Sequence, residues 1–211
     1  QFVQKMAQNV DLYVKCRMPD DKSEGNVHLR NIPLLAGKSY KLHLMLLLAA
    51  SNMNPDALAK FKGILESVVY YTVIDKIATN VTERTFASWC KDVRNIVTTE
   101  DLDSFVKGTL IPTVNDWKLD NKSNFLRLGL NSMQQYRIKF ILGKITAYVD
   151  ALRLGKTTVD DLTSYTQTAV EIEHIMPQTC TDKELYGMND EEFSVYLNPV
   201  SYTHPDAADD L

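Results

Sequence analysis

Apolar positions recur at helical spacing along most of this chain. In residues 2–16, Phe2, Val3, Met6, Val10, Tyr13 and Val14 fall on one stripe, which reads as the end of a helix whose partners lie upstream. Residues 19–25 form a polar loop rich in turn residues, and Pro33 suits the first turn of the helix that follows. Residues 41–50 are apolar almost all round, the mark of a buried central helix. His43 within it reads as a hydrogen-bonded core residue rather than a ligand. Asn54-Pro55-Asp56 supplies a cap and a first-position proline. The helix it opens runs to about Lys76 and buries Leu58, Phe61, Leu65, Val68, Val69 and Val73. Tyr70 and Tyr71 read as core or rim rather than as a base-stacking platform.

Asn80-Val81-Thr82-Glu83 has the spacing of a capping box, ahead of inward-facing Phe86, Trp89, Cys90 and Val93. Thr98-Thr99-Glu100-Asp101 repeats the start signal, and Pro112 is expected to kink or end that helix before Trp117. A short helix and turn fill residues 121–131. The last long helix, residues 135–154, has Tyr136, Phe140, Ile141, Ile145, Tyr148 and Leu152 as its expected buried face. Arg127, Arg137, Lys139, Lys144 and Arg153 make this the most basic stretch of the chain. Such charges read first as a solvated face, and second as a track for DNA phosphates. Residues 155–164 read as a loop.

The period then changes. Val170-Glu171-Ile172-Glu173-His174-Ile175 alternates apolar and charged residues as a strand does, so a strand is expected over residues 166–175, ending before Pro177. After a polar loop, Asn189-Asp190-Glu191-Glu192 caps a short helix through Phe193, Tyr196 and Leu197. The expected fold is mainly α, a multi-helix bundle followed by one strand.

Composition changes this picture little. The 211 residues are 45% hydrophobic and 24% charged, enough to bury one or two cores. The net charge of −4 argues against a uniformly basic nucleic-acid surface while leaving room for a local patch. Cys16, Cys90 and Cys180 form no CxxC pair, which fits reduced thiols in a cytoplasmic protein rather than disulfides or a zinc site. The longest apolar run, residues 42–50, is about half of what a bilayer requires, so no membrane partner is expected. The chain opens in mid-pattern on Gln1, which suggests an internal piece of a longer protein.

Chemistry concentrates near residue 174. Phosphodiester hydrolysis at neutral pH needs a deprotonated water and a counter-charge for the leaving oxygen. A histidine can provide the first as general base, and a hard divalent ion held by oxygen ligands the second. Glu173 and His174 would point to opposite faces of a strand, and a bend at Pro177 is what could bring them together.

Ile172-Glu173-His174-Ile175-Met176-Pro177-Gln178 resembles the first strand of HNH (His-Me finger) nucleases, whose motif runs acidic-His-Ile-x-Pro-Gln. The helices followed by this run are similar, over roughly residues 1–198, to the C-terminal half of GmrSD-type restriction endonucleases. Those enzymes cut foreign DNA carrying altered bases, and join a nucleotide-dependent N-terminal domain to a helical region and an HNH-like domain. The resemblance implies His174 as general base and Glu173 as a metal ligand. It implies Ile172, Ile175, Pro177 and Gln178 as structural parts of the motif. It also implies magnesium or manganese as cofactor, modified double-stranded DNA as partner, and the nucleotide-dependent domain in cis or trans.

On this basis residues 1–160 are the helical connector and residues 161–198 the start of a truncated ββα-metal nuclease domain. Family members continue with a Gly-Asn-Leu-Thr segment after the Tyr196-Leu197-Asn198 position; this chain instead runs from Pro199 to Leu211. That tail resembles translated sequencing-adapter read-through, so residues 199–211 are expected to be non-native. His204 and Asp206 are not taken as ligands, because no apolar pattern would hold them in place. The fragment as written is expected not to cut DNA. Two rival readings are a non-catalytic helical interaction module, and a metal-free enzyme using Glu173 and His174 as an acid/base pair.

Overall fold

The computed structural model describes residues 2–20, 25–117, 121–126, 133–155, 162–167, 170 and 172. Their regular structure is helical, and no strand occurs among the described residues. The protein is mainly α, as its periodicity requires. The chain divides into two compact units, Gln1–Asn124 and Phe125–Leu211; the boundary expected at residue 160 falls within the second.

The first unit begins with α1 (Phe2–Arg17), α2 (Asn26–Ala36) and α3 (Leu42–Ala49), the last tightening into a 3-10 turn at Ala50–Asn52. Then come α4 (Pro55–Ile74), α5 (Thr79–Val93), α6 (Thr99–Phe105), a π-helical segment (Val106–Leu110) and α7 (Ile111–Asp116). Helix α2 packs on α4, α3 on α5, and α1 on α3. Helix α3 is the central apolar rod, with Leu46 and Leu47 fully buried. Opposite it, α5 contributes Phe86, stacked on Trp89 with ring centroids 5.6 Å apart. Trp89 also meets Phe105 edge-on at 6.0 Å and stacks on Trp117 at 6.4 Å. Each such ring removes some 150–250 Å² of surface from water, so this cluster dominates the core energetics.

Helix α4 shows how local chemistry sets an element's ends. Asn54 is extended and its side chain accepts from the Ala57 N–H at 2.8 Å, while Pro55 occupies the first turn, where its missing N–H costs nothing. At the far end Ile77 N–H bonds to Thr72 O and Lys76 N–H to Val73 O, the crossed pair of a Schellman close. Lys76 adopts φ 53° for this, a left-handed conformation that costs a non-glycine residue about 1 kcal/mol. Helix α6 starts at Thr98, which forms a full capping box with Asp101.

Several expectations are corrected. Pro33 lies inside α2, not in its first turn, because the helix already begins at Asn26 behind Gly25. Asn80 is no cap: α5 begins at Thr79 with Ala78 before it, and the N-terminus carries no side-chain cap. At Pro112 the expectation holds: the turn ahead of it leaves regular α-helix for π-type bonding, which absorbs the donor that proline lacks, and α7 stops at Asp116, before Trp117. Leu58 and Val73 are only half-buried, and Ala57 and Ile74 take the inner places on α4.

In the second unit α9 (Gln135–Arg153) buries Ile138, Phe140, Ile141, Gly143, Ala147 and Ala151. Tyr136, Ile145, Tyr148 and Leu152, expected inside, are exposed. Close approach by a small-residue row decides this face. A Cβ on Gly143 would stand 2.9 Å from the Cβ of Tyr165, in the short helix α10 (Thr163–Thr166). Tyr165 also donates to Asp150 Oδ2 at 2.9 Å. A short helix, α8 (Asn121–Leu126), spans the boundary between the units.

Candidate functional site

The segment leading into the motif is held by α9 and α10. Leu162 is fully buried, Thr166 returns its hydroxyl to Leu162 O at 3.0 Å, and Lys139 donates from α9 to Val170 O. Val170 is buried and Ile172 half-buried. Thr166 is therefore helical rather than the start of a strand, and neither Val170 nor Ile172 lies in a strand. Glu173, His174, Ile175, Pro177 and Gln178, together with the rest of the expected strand and the tail, lie outside the described residues.

Of the basic residues on α9, Arg137 lies over the Tyr136 ring at 5.6 Å, and Lys139 is committed to the Val170 carbonyl. Tyr70 and Tyr71 meet edge-on at 5.8 Å, a packing contact of the kind expected for core or rim aromatics. His43 is buried, as expected, and stacks parallel to Tyr40 at 5.7 Å, but its Nδ1 has no hydrogen-bond partner. Burial, aided by the charges of Lys41 and Arg17, lowers its pKa from 6.5 to about 4, so it is neutral in the core. Cys16 and Cys90 are free and buried, and burial pushes both thiols up.

A polar seam between α2 and α4 was not foreseen from the sequence. Lys62 and Glu66, one helical turn apart, are only 7% and 6% exposed. Lys62 Nζ donates to Asn26 Oδ1 at 2.7 Å, and Asn26 in turn donates to Asp20 O at 3.2 Å. Glu66 accepts from Asn31 Nδ2 at 3.1 Å through one oxygen and meets His28 Nδ1 at 2.5 Å through the other. Gly25 makes the seam possible. Its φ of +75° suits glycine, and a Cβ there would stand 2.8 Å from Ala59 O.

The sequence signal was present. Lys62 and Glu66 sit beside Phe61 and Leu65 within an otherwise apolar face, where a charge must be paired to be tolerated. A carboxylate fixing one imidazole nitrogen is the arrangement that orients a general base. Among the described residues, however, no three His, Cys, Asp or Glu side chains gather as a metal group. The seam is thus a paired polar contact between helices that leaves His28 partly open to solvent.

The metal implied by the HNH resemblance would depend on Glu173 and on residues after it. No helix among the described residues is long and apolar enough to cross a membrane. No protein-family model, curated protein or solved structure matches this chain.

Proposed function

We propose that this chain carries the helical region and the opening of the HNH-like domain of a GmrSD-type restriction endonuclease, a cytoplasmic enzyme that hydrolyses modified foreign DNA. The observation that carries the proposal is the run Ile172-Glu173-His174-Ile175-Met176-Pro177-Gln178 directly after a helical region. In this reading His174 takes the proton from the attacking water, and the carboxylate of Glu173 is available to a divalent cation. Magnesium or manganese, when bound, supplies the counter-charge for the leaving oxygen. Ile172, Ile175, Pro177 and Gln178 are structural parts of the motif. A nucleotide-dependent domain acts with it in cis or trans.

The test begins with the source DNA, sequenced from the codon of Glu184 onward. A Gly-Asn-Leu-Thr-like segment and a later Asn or His after Asn198 are expected. The protein encoded by that reading frame should cut DNA carrying modified bases in the presence of magnesium or manganese. His174→Ala should lower the rate by about 100-fold or more. The 211-residue chain as written should not cut.

The helical character of the described residues keeps one rival in play, a non-catalytic interaction module. Full function in His174→Ala, or a frame that truly ends at Leu211, would favour it. Activity that survives chelation would instead favour an acid/base pair without metal.

A further inference from the structure

The first unit holds a cleft that is independent of the motif around His174. Helices α1, α3 and α5 enclose an open cleft of about 1030 Å³, the size of a small-molecule pocket. Its lining is chemically one-sided. Lys41 at the start of α3 and Arg94 at the end of α5 both face it, and among the described residues no Asp or Glu does. Neither cation makes an ion pair among the described residues. Lys41 bonds only to the Lys38 carbonyl, at 2.6 Å, and Arg94 offers its own carbonyl to Asn52 at 2.9 Å while its side chain stays exposed. Arg17 adds to the positive field at Lys41. Two cations left without counter-charge at one concave surface are what an anionic ligand neutralises.

The remaining lining adds a second requirement. Tyr13 from α1 is 39% exposed, and Leu44, Met45 and Cys90 form an apolar wall. Asn9 and Asn95 provide amides able to donate and accept. Cations, an accessible aromatic ring, amides and an apolar wall together match a phosphate joined to a flat heterocycle. We propose that this cleft binds a nucleoside phosphate, its base set against Tyr13 and its phosphate drawn in by the positive field of Lys41 and Arg94 at the two ends of the cleft. A free nucleotide and one unit of a single strand share that chemistry.

Calorimetric titration of the full chain with AMP, ATP, inorganic phosphate and a short single-stranded thymidine oligonucleotide tests the proposal. Saturable binding of a nucleotide or the oligonucleotide is expected, tighter than that of inorganic phosphate. Tighter binding of ATP or AMP would identify the free nucleotide as the source, and tighter binding of the strand a nucleic-acid unit. Arg94→Glu and Lys41→Glu should each weaken binding by about tenfold or more, and Tyr13→Ala by about fivefold or more. Lys107→Glu, an exposed charge outside the cleft, should leave affinity unchanged. Arg94 is exposed, so its variant should fold, and circular dichroism verifies this. The proposal is overturned if neither nucleotide nor oligonucleotide binds. It is equally overturned if inorganic phosphate binds as tightly as AMP, or if the folded Arg94→Glu and Lys41→Glu variants bind like the parent.

Discussion

Two helix interfaces of the first unit solve the same burial problem by different chemistry. Where α3 meets α5 the contact is apolar, with Leu46, Leu47, Phe86 and Trp89 all at most 2% exposed. Where α2 meets α4, the buried Lys62 and Glu66 are each held by their own hydrogen bonds, Lys62 to Asn26 and Glu66 to Asn31 and His28. The first interface tolerates inexact partners, because dispersion and the hydrophobic effect are non-directional. The second holds only if each group meets its partner, because an unpaired charge in the interior is costly. The comparison teaches that similar burial can conceal opposite sensitivities to substitution.

The largest effect should come from the apolar side. Phe86→Ala empties the stack beneath Trp89 and is expected to cost about 3–5 kcal/mol in urea unfolding. A loss below about 1 kcal/mol would mean that this core can collapse around the gap. On the polar side, Glu66→Leu strands His28 and Asn31 and should cost about 3 kcal/mol. Adding Asn31→Leu should recover at least about 1 kcal/mol, since removing both partners of a buried hydrogen bond costs less than removing one. If the double variant is the weaker of the two, the seam is not organised around the Asn31–Glu66 contact.

A third test uses acid. His43 has its folded pKa lowered to about 4 from 6.5, so between those values the unfolded chain binds more protons. Stability should be full above about pH 6.5 and fall by roughly 2–3 kcal/mol as pH drops through that window to about 4. His43→Leu should remove this part of the slope; an unchanged slope would place the sensitivity elsewhere. The smallest effect concerns helix starts. Thr98→Ala loses a capping box and should cost about 1 kcal/mol. Asn80→Ala, inside α5, should stay within about 0.5 kcal/mol. Thermal melts of the two variants rank them directly.

These contrasts show where the sequence was legible. The caps at Asn54 and Thr98, the apolar rod at residues 42–49 and the inward row Phe86, Trp89, Cys90 and Val93 were all readable from it. Each depends on chemistry within a few turns of one helix. The face of α9 was misread because large apolar residues outvoted Gly143, Ala147 and Ala151, whose value appears only when Tyr165 comes close. Asn80 had the spacing of a cap without being one, since α5 starts two residues earlier, with Ala78 in the cap position. The residues proposed for catalysis, His174 and Glu173, were legible only as a motif. They lie beyond the described residues, so their proposed role rests on the sequence.

By itself, the sequence determined that this protein is mainly helical and where several of its helices begin, because period and capping are local properties of the backbone. Tertiary structure decided which face of α9 is buried, how Lys62 and Glu66 are paired inside, and that Lys41 and Arg94 share one cleft. Each of these depends on residues distant in the chain. A side chain's environment is set by what packs against it, and no spacing rule along a single helix contains that information.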